Sequence, residues 1–244
     1  MAKKTIKLQN KGNTQMVAHQ GLFVVERGNT IPAFKDMATR THFGAECDIH
    51  VTADKKIVVN HDNDIGTTCD RSMIIETSNF EDIRAASIKP FYPDDPHDGD
   101  DMRIPTMEEY INICKSGDKY CIIELKNHFE REDIIRVIDE IKALDYLHKV
   151  IFISFDLPNC LTIRSLLPDQ PVQYLIVHYN EEVLDILDKY DLDLDMHYHY
   201  MSAATIKEVH AHGHKVNAWT VDNPLHAEYL ASWGIDFITT NYLE

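Results

Sequence analysis

Nowhere in the 244 residues is there an apolar run long enough to cross a bilayer, and Met1 to Met16 is too polar to act as a secretion signal. The expectation is a soluble, cytoplasmic protein with no integral membrane segment. Cysteine is sparse. Cys47, Cys69, Cys114, Cys121 and Cys160 are odd in number and lack any Cys-x-x-Cys spacing, which argues against a disulfide framework or a zinc site. Cys47 and Cys121 lie within apolar strand patterns, where free thiols are commonly buried. Positive charge is also short: 24 Lys and Arg stand against 40 Asp and Glu, a formal charge of -16. That field repels nucleic-acid backbones and anionic lipid surfaces, and no local basic patch offsets it. A small anionic substrate is compatible if cations line its site, and an acidic site would recruit a divalent metal.

What is present suits one large α/β domain. Hydrophobic residues make up 44% of the chain, enough for a substantial core. Strands are predicted at 16–19, 44–51, 120–125, 150–155, 172–177, 192–196, 215–221 and 236–239, with a hairpin partner for the second beginning at Ile57. Helices are predicted at about 30–40, 105–115, 131–144, 158–167, 181–190, 203–212 and 225–233. The first takes Asn29 as N-cap and Pro32 in its opening turn, and the second starts near Thr106. From 63 to 104 the pattern weakens and ends in an acidic turn-rich loop, Asp94–Asp101, without EF-hand spacing. Eight strands, all but the last followed by a helix, predict a closed (β/α)8 barrel over the whole chain, with an insertion at about 63–104. The competing doubly wound sheet usually carries a Gly-rich phosphate turn after its first strand, and none is found.

The most informative stretch is Gly44–Val51. Its period of two puts Glu46, Asp48 and His50 on one face and Ala45, Cys47, Ile49 and Val51 on the other. In isolation the polar face would simply meet water. A two-residue turn at Asp54-Lys55 would set Val51 opposite Val58 and Asp48 opposite His61, placing an imidazole beside the carboxylates. In a barrel the chemistry sits at the C-terminal ends of the strands. That rule selects His19, Glu46, Asp48, His50, Glu124, Lys126, Ser154, His197 and Trp219. Three carboxylates, several imidazoles and a lysine at one mouth suit a hard divalent cation, Mg²⁺ or Ca²⁺ rather than zinc, and an anionic substrate. Ser154 reads as structural, Trp219 as a wall against substrate, His50 as a further lining residue, and the run Met196–Tyr200 as a contact for a leaving group.

These residues resemble the glycerophosphodiester phosphodiesterases, of the phosphatidylinositol-specific phospholipase C-like superfamily. The likeness covers His19-Gln20-Gly21, Gly28-Asn29-Thr30 through Ala33-Phe34, Glu46-Cys47-Asp48 through Thr52-Ala53-Asp54, and His61-Asp62. It continues with Pro105–Glu109, Glu124-Leu125-Lys126, Ala218–Val221, and Gly234–Asp236 to Thr239-Thr240. The resemblance implies a (β/α)8 barrel that hydrolyses a glycerophosphodiester to glycerol 3-phosphate and an alcohol. It also implies an inserted subdomain in the stretch between His61 and Pro105. By the same resemblance Glu46, Asp48 and Glu124 would hold a divalent cation, His19 and His61 would be general base and general acid, and Lys126, with Gln20 and Trp219, would bind substrate. Two positions depart from the family pattern: Gln20 stands where the family has Arg, and Gly28 where it has Glu. A neutral amide is a weaker phosphate grip than a guanidinium. The expectation is that the lost pair normally interact, with Glu26 or Arg27 compensating. Two other readings follow: a weakened phosphodiester-binding protein, and a phosphodiesterase directed at lysophospholipids.

Overall fold

The computed structural model describes residues 4–244. Its frame is eight parallel strands closed into a barrel: β1 (Gln15–Ala18), β2 (Gly44–Val51), β4 (Tyr120–Leu125), β5 (Val150–Ser154), β6 (Val172–Ile176), β7 (Asp193–His197), β8 (Val216–Trp219) and β9 (Phe237–Thr240). Strand β1 closes the ring by pairing with both β2 and β9. A helix follows every barrel strand except β9: α1 (Ile31–Ala38), α3 (Met107–Ser116), α4 (Arg131–Ala143), α5 (Leu157–Leu166), α6 (Glu181–Tyr190), α7 (Ala203–Ala211) and α8 (Pro224–Ser232). The predicted barrel and its βα order are therefore observed, with element ends within a few residues.

Strand β2 shows why the alternation matters. All eight of its residues are buried, so neither face meets water. Ala45, Cys47, Ile49 and Val51 point outward into the apolar layer between sheet and helices, where the Tyr110 hydroxyl donates to the Ala45 carbonyl at 2.6 Å. Glu46 and Asp48 point into the barrel, above a smaller inner core of Val17, Ile122, Ile151, Ile153, Leu175 and Phe237. Gly44 passes so close to β4 that an added Cβ would strike the Tyr120 carbonyl.

The hairpin differs from expectation by one residue. Strand β3 (Ile57–Val59) pairs Val51 with Ile57 and His50 with Val58, because the loop holds three residues, with Lys55 left-handed at φ 65°. Asp48 accordingly faces Asn60, whose N–H donates to the Asp48 carbonyl at 3.0 Å, and not His61.

Between β3 and α3 the chain builds its own core from Val58, Ile65, Cys69, Ile75, Ile83, Ala86, Ile88, Met102 and Ile104, around a six-residue helix α2 (Phe80–Ala85). Helix α3 begins with a capping box between Thr106 and Glu109, and Glu109 also takes two hydrogen bonds from Arg84 of α2, at 2.8 and 2.7 Å. Helix α1 is capped by Thr30 and not by Asn29, which leaves the Asn29 side chain for other work. All five cysteines are free and buried.

The seam beside β1 is tied by the chain ends. Ile6 bridges Leu243, the Glu244 carboxylate accepts from Thr5 and Thr41, and the buried His42 ring bonds the Leu243 carbonyl at 2.8 Å.

Candidate active site

At the C-terminal ends of β1, β2, β4, β7 and β8 a cavity of about 250 Å³ is lined by His19, Glu46, His61, Glu124, Lys126, Asp195 and Trp219, with Ile153, Phe155 and Leu175 on its apolar side. One oxygen each from Glu46, Asp48 and Glu124 lies within 4.8 Å of the others. The Lys126 ammonium sits between two of them, 3.2 Å from Asp48 Oδ1 and 3.0 Å from Glu124 Oε1. Glu46 Oε1 is buried without a partner. An all-oxygen donor set with an orphaned buried oxygen fits a hard divalent cation.

Electrostatics say the same. Burial, then the charges of Asp48 and Glu124, push the Glu46 carboxyl well above the carboxylate range. Burial and Asp48 push Glu124 up to about 7, against the pull of Lys126. Burial also raises Asp48, but Lys126, His61 and His19 outweigh it and hold this group below its ordinary value. For Lys126, burial acts downward and is overcome by Asp48 and Glu124, which raise it. One lysine does not neutralise three buried carboxylates, so the site favours a further positive charge.

The two histidines are held differently. His19 Nδ1 lies 2.7 Å from Asn241 Oδ1, while Asn241 Nδ2 donates to Asp222 at 2.6 Å. Because the Asn241 amide is oriented by Asp222, its oxygen faces the ring, His19 Nδ1 carries the proton, and the Nε2 lone pair faces the cavity, 4.0 Å from Glu46. Burial lowers the His19 pKa. His61 is half exposed and its Nδ1 donates to Asp62 at 2.7 Å, a bond that keeps Asp62 below the ordinary carboxylate range.

Other expected residues fall elsewhere. His50 does not line the cavity. Its ring bonds Glu76 of the insertion at 2.7 Å and neighbours Asn127, which itself bonds Glu76. Ser154 is structural, donating to the Leu125 carbonyl at 2.7 Å. Trp219 stands in the cavity wall, edge-on to Phe155 and His197, with its indole N–H unpartnered. The Gln20 side chain donates to Asp48 Oδ2 at 3.1 Å. Arg27 donates to the Pro90 carbonyl and Glu26 pairs with His97, so both are engaged with the insertion. Sequence reasoning missed Asn241, Asp222, Asn29 and Asp195. The strand-end rule would have reached Asn241, directly after β9. Asp195 is an inward residue of β7 with a buried, unpartnered Oδ1, raised by burial and by Glu124.

The model of the glycerophosphoryl diester phosphodiesterase family matches residues 19–244. The chain belongs to that family. It is 24% identical to the glycerophosphodiester phosphodiesterase of Bacillus altitudinis, over 94% of this chain and 95% of the relative. It is 25% identical to the one from Caldanaerobacter subterraneus subsp. tengcongensis, over 93% and 94%. Among solved structures it superposes on a glycerophosphodiester phosphodiesterase from Parabacteroides distasonis with a TM-score of 0.79 at 25% identity, covering 98% and 94% of the two chains. A phosphodiesterase from Oleispira antarctica, solved with the product sn-glycerol-3-phosphate, shares the fold at a TM-score of 0.85 and 21% identity over 93% of each chain. The chain is thus a phosphoric diester hydrolase of the glycerophosphodiester phosphodiesterase type.

Proposed function

We propose that the enzyme hydrolyses small glycerophosphodiesters to glycerol 3-phosphate and an alcohol, with a divalent cation, Mg²⁺ or Ca²⁺, seated by Glu46, Asp48 and Glu124. The observation that carries this reading is the convergence of His19, His61, Lys126 and two of the three acids on one cavity, with Asp48 directly beneath Lys126. When bound, the cation would supply neutralisation of the phosphoryl oxygens. Lys126 binds the same oxygens from the side of Glu124. His19, its Nε2 free, takes a proton from the attacking water as the water oxygen bonds to phosphorus, and His61 gives a proton to the departing alkoxide as the P–O bond to the alcohol breaks. Trp219 and Phe155 wall the alcohol.

The test follows release of glycerol 3-phosphate from glycerophosphocholine and glycerophosphoethanolamine. Turnover should need Mg²⁺ or Ca²⁺, stop with chelator, and fall by about 10²–10⁴-fold in His19→Ala or His61→Ala. Absence of product across a broad diester panel with either metal present rejects the reading. Thermal stabilisation by diester without product would instead indicate a binding protein.

A second reading, action on lysophospholipids, has one observation in its favour. Of the ten large apolar side chains exposed among the described residues, Phe23, Phe155, Val177, Tyr200 and Leu225 all follow the C-terminal ends of barrel strands. Such a rim suits an acyl chain. A higher kcat/KM for lysophosphatidylcholine than for glycerophosphocholine would favour it.

A further inference from the structure

Gln20 touches the proposed metal seat twice. Its backbone N–H donates to Glu46 Oε2 at 2.9 Å, and its side-chain amide donates to Asp48 Oδ2 at 3.1 Å. Asn29 donates to the same Oδ2 at 2.7 Å, and the two residues are joined by a bond from the Asn29 N–H to the Gln20 carbonyl at 2.9 Å. Both adopt the left-handed backbone region, φ 51° and 56°, which is strained for a non-glycine residue. Two adjacent departures from easy geometry therefore converge on one carboxylate. Their effect is specific: Oδ2 is taken by two N–H donors, and Oδ1 is left toward Lys126.

Gly28 supplies the room. A Cβ there would lie 2.9 Å from Gln20 Cβ and closer still to Gln20 Oε1, and 2.5 Å from Phe23. Gly28 does not need its freedom for a positive φ; it needs to be bare because the Gln20 side chain and the Phe23 ring both lie against it. We infer that Gln20 is a positioning residue for Asp48, fixing which carboxylate oxygen is presented to a bound cation, and that the bare Gly28 keeps open the space in which the Gln20 amide lies. The two residues form one functional unit, in place of a phosphate contact by Gln20.

This inference rests on the proposed metal seat, and calorimetric titration of the apo-protein with Ca²⁺ and Mg²⁺ separates the two. Gln20→Ala should raise the cation Kd about tenfold, the usual scale for losing a group that orients a ligand. Gly28→Ala should raise it by a similar factor, and the double variant should remain near tenfold, not a hundredfold, because with the amide gone the second change has no Gln20 side-chain contact to Asp48 left to disturb. Thermal unfolding of the apo-proteins gives an independent cycle: Gly28→Ala should lower the midpoint less in the Gln20→Ala background than in the wild type. An unchanged Kd in Gln20→Ala, or multiplicative effects in the double variant, overturns the inference while leaving the seat intact. A wild-type protein that binds neither cation overturns both.

Discussion

His19 gains its proposed role from a residue more than two hundred positions away. Without Asn241 the ring would be free to choose either tautomer, and the lone pair facing the cavity would no longer be assured. Asn241→Ala should therefore lower kcat by about 10–10²-fold, part of the contribution of a general base, while KM for glycerophosphocholine changes little. Asp222→Asn should show a milder version, since it lets the Asn241 amide turn over; steady-state kinetics on both variants check this. The groups with intrinsic chemistry, His19, Glu46, Asp48, Glu124 and Lys126, were legible because type and strand position sufficed to select them, whereas His61 came from the family resemblance, its expected pairing with Asp48 being off by one residue. The partners that orient them were not legible. Asn241, Asp222 and Asn29 are ordinary polar residues in sequence; pairing of β9 with β1 brings Asn241 to His19, and pairing of β1 with β2 brings Asn29 to Asp48.

At the scale of elements, the helices followed from periodicity because each buries one face, and most strands from short apolar runs that are buried on both faces of the sheet. The hairpin shows the limit. A two-residue and a three-residue loop fit the same sequence between Val51 and Ile57, yet they move every cross-strand pair by one, and the left-handed Lys55 decides the matter locally. Likewise, Thr30 and Asn29 are both good caps, and Asn29 is withdrawn by Asp48. The insertion was seen only as a weak pattern, since its apolar residues lie on turns and one short helix that carry no long period. Strand β2 yields a sharp expectation. Gly44→Ala should cost about 1–3 kcal/mol through the collision with Tyr120, and should open the β2–β4 pairing that sets Glu46 and Asp48 beside Glu124. Urea unfolding gives the stability, and loss of cation binding at temperatures where the variant stays folded gives the local effect.

For the whole molecule, the count of βα units sufficed to infer closure, but not what holds the ring shut. At the seam His42 is buried and its Nδ1 has no partner. Burial lowers its pKa from 6.5 to about 4, with the Leu243 carbonyl pulling the other way. The neutral ring is thus favoured in the folded state, and its contribution, on the order of 3 kcal/mol, is complete above pH 6.5 and lost as pH falls toward 4. Glu244, held down to about 2 despite its burial by bonds from Thr41 and Thr5, loses its contribution in the next window, from 4.5 downward. Urea unfolding at pH 7.5 and pH 4.5 should show His42→Gln losing less stability across that interval than the wild type does.

The His50 contact bears on how freely such enzymes exchange parts. His50 shares a strand face with Glu46 and Asp48, yet its ring is spent on Glu76 and reaches the His61 carbonyl at 3.3 Å. The insertion is therefore keyed into the strand that carries the acids. Transplanting an insertion from a relative without a carboxylate at that point would strand a buried imidazole two residues from Asp48. Chimeras should be cut so that residues 50 and 76 travel together.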